Sequence, residues 1–103
     1  MREVAPINGG RLLTVECFSV PEAARALGKT ELTMKKWIDE GMLPTPVLHD
    51  TARRYRQYSV GELRVIARVL AAHGEDFSYY AKNHIGTRER MAAEVARYRS
   101  RNV

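Results

Sequence analysis

The stretch TELTMKKWIDEGMLP, Thr30 to Pro44, decides how the rest of the chain is read. Its residues predict one short amphipathic helix with a sharp stop. Thr30 suits the N-cap, because its hydroxyl can accept a bond from an unpaired backbone N–H one turn later. Met34, Trp37 and Ile38 fall at i, i+3 and i+4 and form one apolar stripe. Thr33, Lys35, Lys36 and Asp39 fall largely off it. Gly41 fits the left-handed residue that closes a helix, and Pro44 prevents the helix from resuming. An apolar back and a polar, basic front suit a helix laid in a DNA groove. An ordinary surface helix has the same pattern, so the stretch alone leaves both readings open.

Upstream, Ser19-Val20-Pro21-Glu22 opens a preceding helix. Ser19 and Glu22 have capping-box spacing, and Pro21 is tolerated in a first turn, where its missing N–H is not needed. Val20, Ala23, Ala24 and Leu27 make the inner stripe of this helix, and Gly28 closes it. Only Lys29 separates it from Thr30. Two short helices joined by a tight turn containing Gly make the helix-turn-helix pattern. Before them, Leu12 to Phe18 is an apolar run, either a short strand or a lead-in packed on the core. Residues 1–11, with Pro6 and the turn Asn8-Gly9-Gly10, are expected to form a flexible arm.

Downstream, Pro44 and Pro46 keep the chain extended. Asp50-Thr51 is expected to turn it, and Arg53 to Tyr58 to return as a strand. Strict alternation would put Arg54, Arg56 and Tyr58 on one face, and Arg53, Tyr55 and Gln57 on the other. The segment 47–58 therefore reads as a basic β-hairpin. Ser59-Val60-Gly61-Glu62 is a second capping box, opening a helix to about Ala72. Its inner face is Leu63, Ile66, Ala67 and Leu70. Val65, Val69 and Ala72 form a second apolar face that needs cover, either from the C-terminal helix or from another chain. A short helix from Phe77 to Ile85, stopped by Gly86, and a last helix capped by Thr87 complete the chain. Met91, Val95 and Tyr98 make the single stripe of that last helix.

The chain has 103 residues, which bounds it to one modest domain, with 12–86 as its body and 87–103 as a basic C-terminal helix. Seventeen Lys and Arg against twelve Asp and Glu leave a formal charge of +5, compatible with a polyanionic partner. The excess is concentrated: Arg53 to Arg56 holds three arginines and no acid, and Arg88 to Arg101 holds five arginines and two glutamates. The single Cys17 excludes an internal disulfide and sits in an apolar run, as a buried, inert thiol would. His49, His73 and His84 lack metal-ligand spacing, so no metal and no cofactor is expected. Asp39-Glu40 and Glu75-Asp76 are adjacent pairs whose side chains point apart, which argues against general acid–base work and against an enzyme. No apolar run approaches the ~20 residues of a membrane span, and a cytoplasmic protein is expected.

The order is thus helix, tight turn, helix ending in Gly41-Met42-Leu43-Pro44, basic hairpin, then Tyr58-Ser59 leading into a third helix. With Phe18-Ser19-Val20, Ala23-Ala24, Leu27-Gly28, Thr33, Met34, Trp37, Glu40, Tyr55-Arg56 and Glu62-Leu63, it resembles the winged helix-turn-helix domains of the mercury-resistance-regulator (MerR) superfamily. The resemblance runs from Phe18 to about Tyr80. It implies a mainly α fold: a winged helix-turn-helix with a small β-hairpin wing and additional C-terminal helices. The family's regulators usually show an aromatic pair where this chain has Lys36-Trp37. That difference, with Pro44-Thr45-Pro46-Val47 and Asp50, is closer to the branch of phage and mobile-element excisionases and small terminase subunits. Only Arg88 to Val103 stands where family regulators carry a long dimerising helix and often an effector domain.

The resemblance implies double-stranded DNA as partner. Helix 30–40 would enter the major groove, with Thr33, Lys36 and Glu31 as candidates for base edges. Lys29, Lys35 and the N–H groups near Thr30 would hold phosphates. The family often has an arginine where this chain has Leu32, so one phosphate contact is missing. On the wing 47–58, Arg53, Arg54 and Arg56 would reach the minor groove or the flanking backbone. Tyr55 or Tyr58 would bond a phosphate, or Tyr58 would be core. Two functions follow. One is sequence-specific DNA binding without catalysis, as a small transcriptional regulator or an excisionase-like architectural factor. The other is a small-terminase-like or adaptor interaction module using the C-terminal helices. A homodimer or cooperative assembly would use Val65, Val69, Ala72 and the last helix.

Overall fold

The computed structural model describes residues 2–7, 9–53 and 55–102. They form a mainly helical chain with a small antiparallel sheet, the winged helix-turn-helix architecture expected from the sequence. The chain divides into two compact units, one of Met1–Lys35 with Thr45–Val60, the other of Lys36–Pro44 with Gly61–Val103.

The first unit is built on five strands: β1 (Arg2–Pro6), β2 (Leu13–Val15), β3 (Cys17–Ser19), β4 (Leu48–Asp50) and β5 (Arg56–Ser59). Their order across the sheet is β2-β1-β4-β5-β3, antiparallel throughout. The expected arm is therefore corrected: residues 2–6 are a strand, paired with β2 (Val4 opposite Leu13) and with β4 (Val4 opposite Asp50). Asn8 of the expected turn lies outside the described residues. Gly9 and Gly10 carry φ of 88° and 138°, which only glycine adopts cheaply, and they let the chain double back from β1 to β2. The pairing has a hydrophobic reason. Val4, Cys17 and Leu48 form a buried cluster to which Leu13 and Val15 add. Leu12 to Phe18, read as one run, is two strands interrupted at Glu16.

Alternation on the wing does not separate buried from exposed side chains, because both faces of β5 are covered. Gln57 and Tyr58 are neighbours on β5, yet both are buried, at 1% and 0% exposed. β5 lies between β4 and β3, away from either edge of the sheet. Helix α1 (Val20–Ala26) packs against β3 and β5. Both halves of its capping box form: the Glu22 N–H reaches Ser19 Oγ at 3.4 Å, and the Ser19 N–H donates to Glu22 Oε1 at 3.0 Å. Gly28 (φ 72°) closes the helix, its N–H bonding the Arg25 carbonyl at 3.1 Å, and the Lys29 N–H reaches the Ala24 carbonyl at 2.8 Å.

Helix α2 (Glu31–Asp39) runs from the first unit into the second. Gly41 (φ 76°) ends it, and the Met42 N–H bonds the Trp37 carbonyl at 2.8 Å. In the second unit the Trp37 ring lies 5.1 Å, centroid to centroid, from Phe77, tilted by 59°. Helix α3 (Val60–His73), a 3-10 turn (Gly74–Asp76), α4 (Phe77–Asn83) and α5 (Ile85–Asn102) complete this unit. The second apolar face of α3 needs no other chain to cover it, because Val65 and Val69 are core. Ala67 and Ala72 are the exposed members of the two faces. That overturns Val65 and Val69 as a docking face. The helix break also falls earlier than expected. His84 is extended, and Gly86 and Thr87 lie inside α5, Thr87 buried.

The far end of α5 is tied to the start of α3. The Glu62 carboxylate is buried and accepts from Arg99 Nε at 2.5 Å. Met91 and Val95 are fully buried. Of the five arginines in this helix, Arg99 is therefore structural.

Candidate nucleic-acid interface

The start of α2 is fixed by its cap. Thr30 Oγ1 accepts the Thr33 N–H at 3.1 Å and donates its own proton to Thr33 Oγ1 at 2.9 Å. Thr33 is half-buried, and its hydroxyl accepts from the cap, so it has a proton left to offer an outside acceptor. Met34 (0% exposed) and Trp37 (7%) anchor the opposite side. Truncating either to Ala would cost about 2–5 kcal/mol, enough to lose the helix's seat. Leu32, on the open side, is exposed.

Glu31, Lys35 and Lys36 are exposed on this helix. Lys35 Nζ lies 2.9 Å from Glu31 Oε1, an i,i+4 pair. Such an exposed pair contributes only about 0.3–0.5 kcal/mol, so a phosphate can take Lys35 from Glu31 at little cost. Lys36 makes no ion pair with the described residues. Lys29, just before the cap, is exposed as well.

The wing's turn is an Asp-led loop. The Asp50 side chain accepts the Arg53 N–H, and the Asp50 N–H bonds the Tyr55 carbonyl at 3.0 Å. Arg53, Tyr55 and Arg56 are exposed. Arg54 lies outside the described residues. Tyr58 has no exposed surface, so it is removed from the set of phosphate contacts and belongs to the core.

Three residues of this unit were not singled out from the sequence: Arg2, Arg25 and Gln57. Arg2 grips Glu22 with both guanidinium nitrogens, Nη2 to Oε2 at 2.8 Å, and its Nη1 donates to Gln57 Oε1 at 2.9 Å. Together with the Ser19 N–H, Arg2 holds the Glu22 carboxyl at about 2, against an ordinary value of 4.5. The Arg2 guanidinium is raised in turn by the same bond. A cavity of about 580 Å³ opens between α1 and the wing, lined by Arg2, Glu22, Arg25, Asp50, Arg53 and Tyr55 among others. Its three arginines are balanced by Glu3, Glu22 and Asp50, so it is a polar seam rather than an anion pocket. The β-branched Val4 and Ile7 were the available signal for the strand, but Pro6 and the two glycines obscured it. The Arg2 contacts join residues 20 and 55 positions apart and have no local signature.

Among the described residues no group of His, Cys, Asp and Glu is placed to hold a metal, and no helix is long and apolar enough to cross a membrane. Neither a curated protein nor a solved structure matches the chain. Residues 18–85 match the family described as MerR HTH family regulatory protein, from Phe18 in β3 to the first residue of α5. That span holds α1, the capped α2, the wing and α3, and it is well over half of the chain. The chain belongs to the MerR family of helix-turn-helix regulatory proteins.

Proposed function

We propose that this protein is a sequence-specific double-stranded-DNA-binding regulator that reads the major groove with α2. The observation that carries the reading is α2 itself. The Thr30 cap and buried Met34 and Trp37 fix its seat, while Lys35 and Lys36 stand in solvent. Rigid anchoring matters because base readout needs donors held in register with the groove floor. In this reading Lys36, Thr33 and Glu31 face base edges. Lys29, Lys35 and the Thr30 end of the helix meet phosphates, with Arg53, Arg54, Tyr55 and Arg56 on the flanking backbone or minor groove.

Selection of bound duplexes from a random-sequence pool at ~150 mM salt tests it, since weak non-specific binding is suppressed there. An enriched motif supports the reading. No enrichment, with binding lost at that salt, overturns it. Half-sites about ten base pairs apart would indicate a dimer. Direct repeats would favour an excisionase-like architectural role over a regulator. The adaptor alternative would have to use Ala72 and the other arginines of α5, because Val65 and Val69 are core and Arg99 is bound to Glu62.

A further inference from the structure

The hairpin β1–β2 lies outside the residues that match the family, 18–85, yet its strand β1 is paired with β4 of the wing. The Thr51 N–H donates to the Glu3 carbonyl at 3.2 Å, and Thr51 Oγ1 donates to Glu3 Oε1 at 2.9 Å. The Ile7 N–H donates to the Val47 carbonyl at 2.8 Å. The hairpin covers the edge of β4, which would otherwise end the sheet. One side chain then links the hairpin to both other parts of the unit. Arg2 reaches Glu22 on α1 and Gln57 on β5 at once.

We propose that Arg2 is a positioning residue for the wing: through Glu22 and Gln57 it locks the hairpin and wing in one arrangement against α1, and so sets DNA affinity without touching DNA. The inference rests on the DNA-binding reading. Its physical basis is preorganisation. A two-stranded flap on its own samples many angles, and each unproductive one lowers the fraction competent to bind. A bidentate arginine with a third bond to a buried amide defines one geometry. Glu22 makes the lock specific, because the carboxylate that receives Arg2 also caps α1, so the wing is referenced to the helix pair itself. Loss of Arg2 leaves the Ser19–Glu22 cap in place and strands Gln57 Oε1, on a residue 1% exposed, without this donor.

The test compares the full chain with Arg2→Ala, Arg2→Lys and Glu22→Gln on the selected duplex, below the melting temperature of every variant. If one conformer in ten stays competent, Arg2→Ala raises Kd about tenfold. The slope of log K against log salt stays unchanged, since no phosphate contact is lost. Glu22→Gln should behave alike, and Arg2→Lys should recover part of the affinity. Hydrogen exchange at the Asp50 and Thr51 amides should speed up. A double-mutant cycle of Arg2→Ala with Arg56→Ala should be additive, because the first changes the competent fraction and the second the affinity of the competent state. A salt slope lower by about one unit would make Arg2 a phosphate contact and overturn the proposal. So would an unchanged Kd, or a coupled cycle, which would put Arg2 and Arg56 on a shared contact. If the unmutated chain holds no duplex, the DNA-binding reading fails separately. The exchange measurement then decides alone, and unchanged Asp50 and Thr51 amides overturn the lock.

Discussion

The Glu62 carboxylate, 1% exposed at the start of α3, takes its bond from Arg99 in the last turns of α5, 2.5 Å away. A buried carboxylate that loses its cation is costly, since water does not replace the partner. Arg99→Ala is therefore expected to destabilise the protein by about 3 kcal/mol in urea unfolding. Replacing both partners with apolar residues of similar size (Glu62→Met with Arg99→Met) should cost less than that single change. The same variant should leave the salt slope of DNA binding unchanged, because Arg99 is committed to Glu62.

Next to this pair, Tyr98 lies over Gly61. A Cβ built on Gly61 would stand 1.8 Å from the Tyr98 hydroxyl oxygen and 2.2 Å from its ring carbon. Gly61→Ala must push the ring aside, at a cost of about 1–3 kcal/mol, which outweighs the ~1 kcal/mol that alanine gains in a helix. In a Tyr98→Ala background the clash is gone, and Gly61→Ala should become neutral or stabilising. Thermal melting of the four variants checks this. Equal effects in both backgrounds would show that Tyr98 does not sit there.

Acid should loosen the first unit through Glu22. Its folded-state carboxyl stands at about 2, below the ordinary 4.5, chiefly through Arg2 and then the Ser19 N–H. A depressed carboxyl contributes stability above its unfolded value and loses it as pH falls toward the folded one. The loss is expected between roughly pH 4.5 and 2. Glu22 is one-third exposed, so the shift is discounted for solvent screening to about 1–2 kcal/mol. Unfolding free energies measured down this range should fall less steeply for Arg2→Ala than for the unmutated chain.

The interface reading separates three side chains. Lys36→Ala should weaken the selected duplex by about 1–3 kcal/mol and relax its sequence preference. Arg56→Ala should weaken all duplexes alike and lower the salt slope by about one unit. Tyr58→Phe should lower stability by about 1 kcal/mol and leave the slope untouched, because the residue is core. Binding isotherms at three salt concentrations distinguish these outcomes. Equal small effects of Lys36→Ala and Arg56→Ala on every duplex would sink the groove assignment.

Cys17 is buried in the Val4–Leu48 cluster, and burial raises its thiol above the ordinary range. Thiolate is the reactive form, so alkylation at neutral pH should be slow in the folded protein and fast in denaturant. Fast labelling of the folded chain would show that the β1–β2 hairpin opens.

What the sequence determined by itself was local. The Thr30 cap, the Met34–Trp37 anchor, the Gly41 stop and the Ser19–Glu22 box depend on groups within one or two turns, so spacing suffices to read them. The order of these signals was enough for the winged helix-turn-helix class. Tertiary structure decided the rest through pairings distant in the chain. Val4 meets Asp50, Arg2 meets Gln57, and Glu62 meets Arg99. Strand pairing turned an expected arm into β1, and the covered face of β5 put Tyr58 in the core rather than at the interface. Val65 and Val69, open to two readings on the sequence, are core in the single chain. Hydrophobic periodicity shows that a face must be covered, but only the fold selects what covers it.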